Sequence, residues 1–132
     1  MRVIFIDDDK DLNFLQERMC IRSKFVQHYY ISSSAPQTLD YLKELDSPPD
    51  IIFVDINMPV MDGFEFIEEF ERRFLKQFPE TVLFVLSSSV RENDKIKAMG
   101  YPSVKGFLSK PLLSNQLEEI FHLFRVVFFL LW

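Results

Sequence analysis

The chain is poor in cysteine, in excess basic charge, in histidine and in long apolar runs, and each shortage removes a class of function. A single cysteine among 132 residues excludes an internal disulfide and fits a reducing compartment. That residue, Cys20, lies between Met19 and Ile21 and reads as a small apolar filler on a helix. Lys and Arg total 15 against 20 Asp and Glu, a formal net charge of −5, and they form no stripe. Autonomous binding to nucleic acid is therefore not expected. The two histidines, His28 and His122, have no partner at catalytic or metal-ligand spacing and read as structural. The chain opens directly into a strand pattern, without the charged and apolar regions of a signal peptide, so the cytoplasm is the expected compartment. Its most apolar stretch, the tail, is shorter than the roughly 20 residues that span a bilayer.

What is present suits one compact soluble domain. Hydrophobic residues make up 48% and charged residues 27%, and a domain of this size buries roughly 65–70% of its unfolded surface. Fifteen phenylalanines predict a thick aromatic core or an adhesive face.

Strand and helix patterns alternate from end to end. Arg2–Ile6 reads as strand. Asp9 or Asp11 caps a helix to about Lys24, with Leu12, Leu15 and Met19 on its apolar stripe. Phe25–Ser32 reads as the second strand. Ser34, with Pro36 in the first turn, opens a helix to about Leu45 carrying Leu39, Leu42 and Leu45 at helical spacing. Pro48-Pro49 ends it, and Ile51–Val54 is the central strand. A helix from Gly63 to about Phe78 is apolar at Phe66, Ile67, Phe70, Phe74 and Phe78. Thr81–Leu86 is a near-continuous apolar strand of the kind covered on both faces. A short helix over Arg91–Met99, a strand over Val104–Leu108 and a last helix from about Leu113 complete five βα units. No linker, repeat or low-complexity tract interrupts them. The consistent architecture is an α/β doubly wound parallel sheet with helices on both faces.

In such sheets the working site lies outside the C-terminal strand ends. Every candidate chemical residue falls there. Asp7 and Asp8 follow strand one, Asp55 ends strand three, Ser87 follows strand four and Lys110 follows strand five. Converging carboxylates repel and raise one another's pKa unless a cation relieves them. Mg²⁺ suits this setting, because it prefers oxygen ligands and keeps several waters. Asp8 and Asp55 are the expected ligands, with Asp7 close by and the backbone carbonyl of Asn57 as a further oxygen. Adding the Ser87 hydroxyl and the Lys110 ammonium describes a phosphoryl-transfer site. Asp55 is the expected nucleophile, forming an acyl phosphate.

The motifs Ile6-Asp7-Asp8-Asp9, Asp55-Ile56-Asn57-Met58-Pro59-Val60-Met61-Asp62-Gly63, Leu86-Ser87-Ser88 and Phe107-Leu108-Ser109-Lys110-Pro111 resemble the receiver domain of two-component response regulators. The resemblance covers essentially the whole chain. It implies a flavodoxin-like fold with five strands in the order 2-1-3-4-5. It implies that Asp55 accepts a phosphoryl group from a histidine kinase or histidine phosphotransfer protein. It further implies that Asp7 and Asp8 hold Mg²⁺, that Ser87 is the switch hydroxyl, that Lys110 contacts the phosphoryl group and that Phe107 swings inward on activation. A cis Lys110–Pro111 bond follows from the same source, as do Asn57 and Ser89 as positions tuning the lifetime of the phosphorylated state. The implied protein is a signalling switch acting on a downstream protein partner, not an enzyme beyond its own phosphorylation and dephosphorylation.

The tail Phe121–Trp132 departs from the pattern, since only His122 and Arg125 in it are polar. Residues 1–125 read as the receiver domain and 126–132 as an apolar extension of its last helix, although β-branched and aromatic content also permits a strand there. An exposed patch so apolar predicts a protein contact, here a homodimer through the last helix and tail or a helix exchange between chains, the alternative being that the segment covers the domain's own core. Two other functions compete. Asp7-x-Asp9 after an apolar strand resembles the start of aspartate-nucleophile phosphohydrolases, and a degenerate receiver could act purely as a scaffold.

Overall fold

The computed structural model describes residues 1–89 and 91–131, with side chains as far as Leu123. Five strands alternate with five helices: β1 Arg2–Ile6, α1 Lys10–Arg22, β2 His28–Ser32, α2 Ala35–Lys43, β3 Ile51–Asp55, α3 Gly63–Phe74, β4 Val82–Ser87, α4 Glu92–Met99, β5 Val104–Ser109 and α5 Ser114–Leu131. All strand pairs are parallel, in the order β2-β1-β3-β4-β5. The expected flavodoxin-like topology is therefore present.

Alternation along each strand divides the core in two. Ile4, Ile6, Ile52, Val54, Leu83 and Val85 face a layer built from α2, α3 and α4, including Leu39, Leu42, Phe66, Phe70 and Ala98. Val3, Phe5, Ile51, Phe53, Phe84 and Leu86 face Cys20 of α1 and Leu112, Leu117 and Ile120 at and within α5. Both faces are covered, which is why β1, β3 and β4 carry apolar residues at successive positions. Among the described residues no helix is long and apolar enough to cross a membrane.

Several expected boundaries shift. On α1 the buried residues are Gln16 and Cys20, while Leu15 is 59% exposed. Of the expected stripe, Met19 packs partly buried against the core and Leu12 is half-buried, but Leu15 falls outside the inner face, because a buried glutamine leaves no mark in an apolar pattern. β2 begins at His28 rather than Phe25. The Phe25 carbonyl instead accepts from the Met1 ammonium at 2.8 Å, and its ring stacks on Phe121. α3 ends at Phe74, four residues short of the expected Phe78, yet Phe78 stays buried and its N–H donates to the Phe74 carbonyl at 2.7 Å. The backbone of 126–131 is helical, not strand, and Trp132 lies outside the described residues.

Candidate functional site

The β3–α3 turn brings Asp55 to the lip of the sheet and then closes tightly. Gly63 donates its N–H to the Ile56 carbonyl at 3.0 Å. A β-carbon at position 63 would overlap the Asp55 carbonyl oxygen and lie 2.7 Å from the Ile56 Cα, so the first residue of α3 has room only for glycine. Asp62 before it caps the helix in a reciprocal box: its carboxylate accepts from Glu65 N–H at 2.8 Å, and Glu65 accepts from Asp62 N–H at 3.2 Å. Between them, Met61 N–H donates to the Pro59 carbonyl at 2.8 Å across Val60, whose φ is 69°. A β-branched residue is rare and strained in that conformation. Val60 projects into solvent at 93% exposure.

Asp7 and Asp55 are both buried, at 2% and 4% exposure. The Asp7 Oδ1 accepts from Asp9 N–H at 2.9 Å. Its Oδ2 pairs with the Lys110 ammonium at 2.6 Å, and has no further hydrogen-bond partner among the described residues. The same Nζ reaches Asp55 Oδ1 at 3.2 Å, and that oxygen also accepts from Asn57 N–H at 3.3 Å. Lys110 therefore bridges carboxylates from two strands. Its peptide bond to the following Pro111 is cis, and its own N–H donates to the Ser87 carbonyl at 3.0 Å, which ties the end of β5 to the end of β4. The Ser87 hydroxyl is fully buried, and its Oγ accepts from Ser89 N–H at 3.0 Å.

Asp8 completes the acids. One oxygen from each of Asp7, Asp8 and Asp55 can lie within 4.8 Å of the others. Asp8 is exposed and makes no hydrogen bond or ion pair among the described residues. Burial, then the neighbouring Asp7 charge, pushes the Asp55 carboxyl above the ordinary range, with Lys110 opposing. For Lys110, burial alone would lower the ammonium's pKa, but its contacts with Asp7 and Asp55 outweigh this and hold it above normal. One ammonium among three carboxylates leaves negative charge uncompensated. An all-oxygen donor set with that surplus, two buried members and one unpaired arm fits a hard divalent cation.

The sequence-derived residues Asp7, Asp8, Asp55, Ser87 and Lys110 thus meet at one sheet edge. Phe107, paired in register with Val85, lies half-buried against the α2–α3–α4 layer. Asn57 is exposed, and its N–H rather than its side chain addresses Asp55. Asp9 does not join the acids, because its Oδ1 caps α1 by accepting from Asp11 and Leu12 N–H at 3.0 and 3.1 Å. It is not placed as the acid/base partner that a hydrolase would need. A cleft of about 330 Å³ lined by Ile56, Asn57, Met58, Asp62, Phe64 and Asp94 follows Asp55 along the chain, and none of Asp7, Asp8 and Asp55 lines it. Two supporting residues gave no signal in the sequence. At Gly106 a β-carbon would stand 2.6 Å from the Phe84 ring, so a larger residue would force that ring to shift, and Asn13 donates its side-chain Nδ2 to the Asp7 carbonyl at 2.7 Å.

Comparison with known proteins agrees with this geometry. The sequence model for the response regulator receiver domain matches residues 3–122. A two-component response regulator from Cytophaga hutchinsonii superposes with a TM-score of 0.84 at 31% identity, covering 92% of this chain and 93% of that one. A response regulator receiver protein from Dyadobacter fermentans gives 0.80 at 30%, covering 91% and 94%. Among curated relatives, the cell cycle response regulator CtrA of Brucella ovis is 27% identical over 92% of this chain, and a protein-glutamate methylesterase/protein-glutamine glutaminase of Methanospirillum hungatei is 29% identical over 91%. The chain spans 49% of the former's length and 34% of the latter's, so it corresponds to one part of each. With a matching family model over nearly its full length and the family's fold, the chain belongs to the response regulator receiver domain family of two-component systems.

Proposed function

We propose that Asp55 accepts a phosphoryl group from the phosphohistidine of a histidine kinase or histidine phosphotransfer protein. One Asp55 carboxylate oxygen attacks phosphorus, the P–N bond to histidine breaks, and an acyl phosphate forms. The observation that carries this reading is the Lys110 ammonium held at once by Asp7 at 2.6 Å and Asp55 at 3.2 Å. An ammonium already bridging the two acids can swing its charge onto the incoming phosphoryl oxygens with little movement. The Ser87 Oγ is occupied as an acceptor by Ser89 N–H, which leaves its own hydrogen free to donate to a phosphoryl oxygen. Asp7, Asp8 and Asp55, with the Asn57 carbonyl, would hold Mg²⁺, which when bound neutralises charge developing on the phosphoryl group.

The consequence is a population shift. Phosphorylation draws Ser87 and Lys110 toward the new group, and Phe107 moves inward to change how a downstream protein is bound. Residues 1–125 form the receiver and 126–132 extend its last helix into a homodimer contact. The protein works in the cytoplasm as a switch rather than an enzyme. The position of Asp9 at the α1 cap weighs against the hydrolase reading, and the assembled Asp7, Asp8, Asp55, Ser87 and Lys110 weigh against a degenerate scaffold.

Incubation with acetyl phosphate and Mg²⁺, followed by intact-protein mass spectrometry, tests this. A phosphate adduct is expected in the wild type and in Asp9→Asn, and not in Asp55→Asn. Rapid phosphate release that depends on Asp7 and Asp9 would instead establish the hydrolase, and no adduct under any donor would establish the scaffold.

A further inference from the structure

Asp8 is the one acid of the cluster with an exposed carboxylate and no side-chain partner among the described residues, so something other than its own contacts must aim it. Its position is set through the backbone on either side. The flanking Asp7 is anchored by its N–H to the Ser32 carbonyl at 3.0 Å. Beyond that, both remaining main-chain fastenings of the Asp7–Asp9 turn to α1 run to one residue. Asn13 donates its side-chain Nδ2 to the Asp7 carbonyl at 2.7 Å and its backbone N–H to the Asp9 carbonyl at 3.0 Å. Asn13 therefore grips the tripeptide at both ends, with Asp8 between.

We propose that Asn13 is a positioning residue: its side-chain amide, through the Asp7 carbonyl, fixes the Asp7–Asp8 peptide plane and so holds the Asp8 carboxylate where it can share a divalent cation with Asp7 and Asp55. A planar peptide has no soft torsion of its own, so holding its carbonyl oxygen also fixes the direction in which the Asp8 Cα leaves it. Asn13 touches neither phosphoryl donor nor acceptor. The Asn13 Oδ1 is buried without a hydrogen-bond partner among the described residues. This inference rests on the reading of the three acids as a cation site.

The test separates positioning from stability. Asn13→Leu keeps the branched outline of the side chain while removing both the Nδ2 donor and the orphaned Oδ1. Mg²⁺ affinity is read from the thermal midpoint as a function of Mg²⁺ concentration, with Mn²⁺ binding by electron paramagnetic resonance as a second readout that needs no phosphorylation. The expected result is a Kd about tenfold weaker, the lower end of the 10–100-fold range for groups that orient metal ligands, read separately from the lower metal-free midpoint that a stranded Asp7 carbonyl brings. Asn13→Ala should weaken binding similarly, and Thr81→Ala, which removes a buried hydrogen bond to the Pro49 carbonyl at the opposite edge of the sheet, should lower the midpoint without changing the Kd. A Kd within twofold of wild type in both Asn13 variants, while Asp8→Asn loses binding, overturns this inference alone. A wild type that binds no divalent cation overturns it together with the cation site.

Discussion

At the scale of single residues, burial decides which groups are reactive and which are inert. Cys20 is 1% exposed between α1 and the sheet, and burial, reinforced by Glu17, pushes its thiol from about 9 up to about 12. The folded protein should therefore react with Ellman's reagent at pH 8 roughly a hundredfold or more slowly than the chain in guanidinium, since only the thiolate attacks. The same shift has a consequence for stability. The fold favours the neutral thiol, so its contribution is complete below about pH 9 and is lost as pH climbs toward 12. Gly63 is the steric counterpart. Gly63→Ala must push α3 away from the Asp55 carbonyl, at a cost of about 1–3 kcal/mol typical of overpacking, measurable by urea denaturation, and should slow phosphorylation by displacing Asp55. Asp55 and Gly63 were both legible in the sequence, because a carboxylate ending an apolar strand and an Asp-Gly pair opening a helix each leave a local signature. Asn13 and Gly106 were not, since their roles depend on a carbonyl and a ring brought close only by the fold.

At the scale of elements, α3 shows when periodicity succeeds and α1 when it fails. Phe66, Ile67, Phe70 and Phe74 sit at helical spacing and all are buried, because α3 packs a wide apolar stripe on the sheet. In α1 the fully buried residues are Gln16 and Cys20, Met19 packs beside them, and Phe14 and Leu15 face outward at 63% and 59% exposure, so the apolar pattern marks only part of the inner face. The outer face of α3 is polar but not idle. Glu68 accepts from the Tyr101 hydroxyl at 2.6 Å, Glu71 accepts from both Ser103 N–H at 2.9 Å and its Oγ at 2.6 Å, and the Lys97 ammonium lies 4.3 Å from the Phe64 ring centroid. Phe64, Glu68 and Glu71 recur at spacings of four and three, so one stripe of α3 fastens α4 and the start of β5. Ser103 is buried, which makes Glu71→Ala the more damaging change, since it strands a buried N–H and hydroxyl. A loss of about 1–3 kcal/mol is expected, read as a lower denaturation midpoint. Arg72 and Glu69 pair at 2.7 Å on the exposed side of the same helix, and Arg72→Ala should leave the midpoint nearly unchanged, since solvent screens the pair.

At the scale of the whole molecule, the parallel architecture followed from the alternation of strand and helix, whereas the strand order entered only through the family resemblance, because nothing local distinguishes one parallel neighbour from another. The tail poses the remaining question at this scale. Helix α5 has 18 residues, about 27 Å at 1.5 Å per residue. The sheet strands of 5 or 6 residues reach only about 17–20 Å. The described core residues contributed by α5 end at Ile120, and Phe121 closes the far end by stacking on Phe25 at 4.3 Å. The family match likewise stops at residue 122. The helix is therefore longer than the strands it runs along, and residues 126–132 lie past the matched family segment. Their removal should leave the thermal midpoint within about 2–4 °C, the shift expected for no more than about 1 kcal/mol in a domain this large. If these residues supply a dimer contact, light scattering should find twice the chain mass for the full sequence and the single-chain mass after deletion of 126–132. A fall in the midpoint of ten degrees or more would assign the tail to the protein's own core, and a single-chain mass before as well as after deletion would remove the dimer.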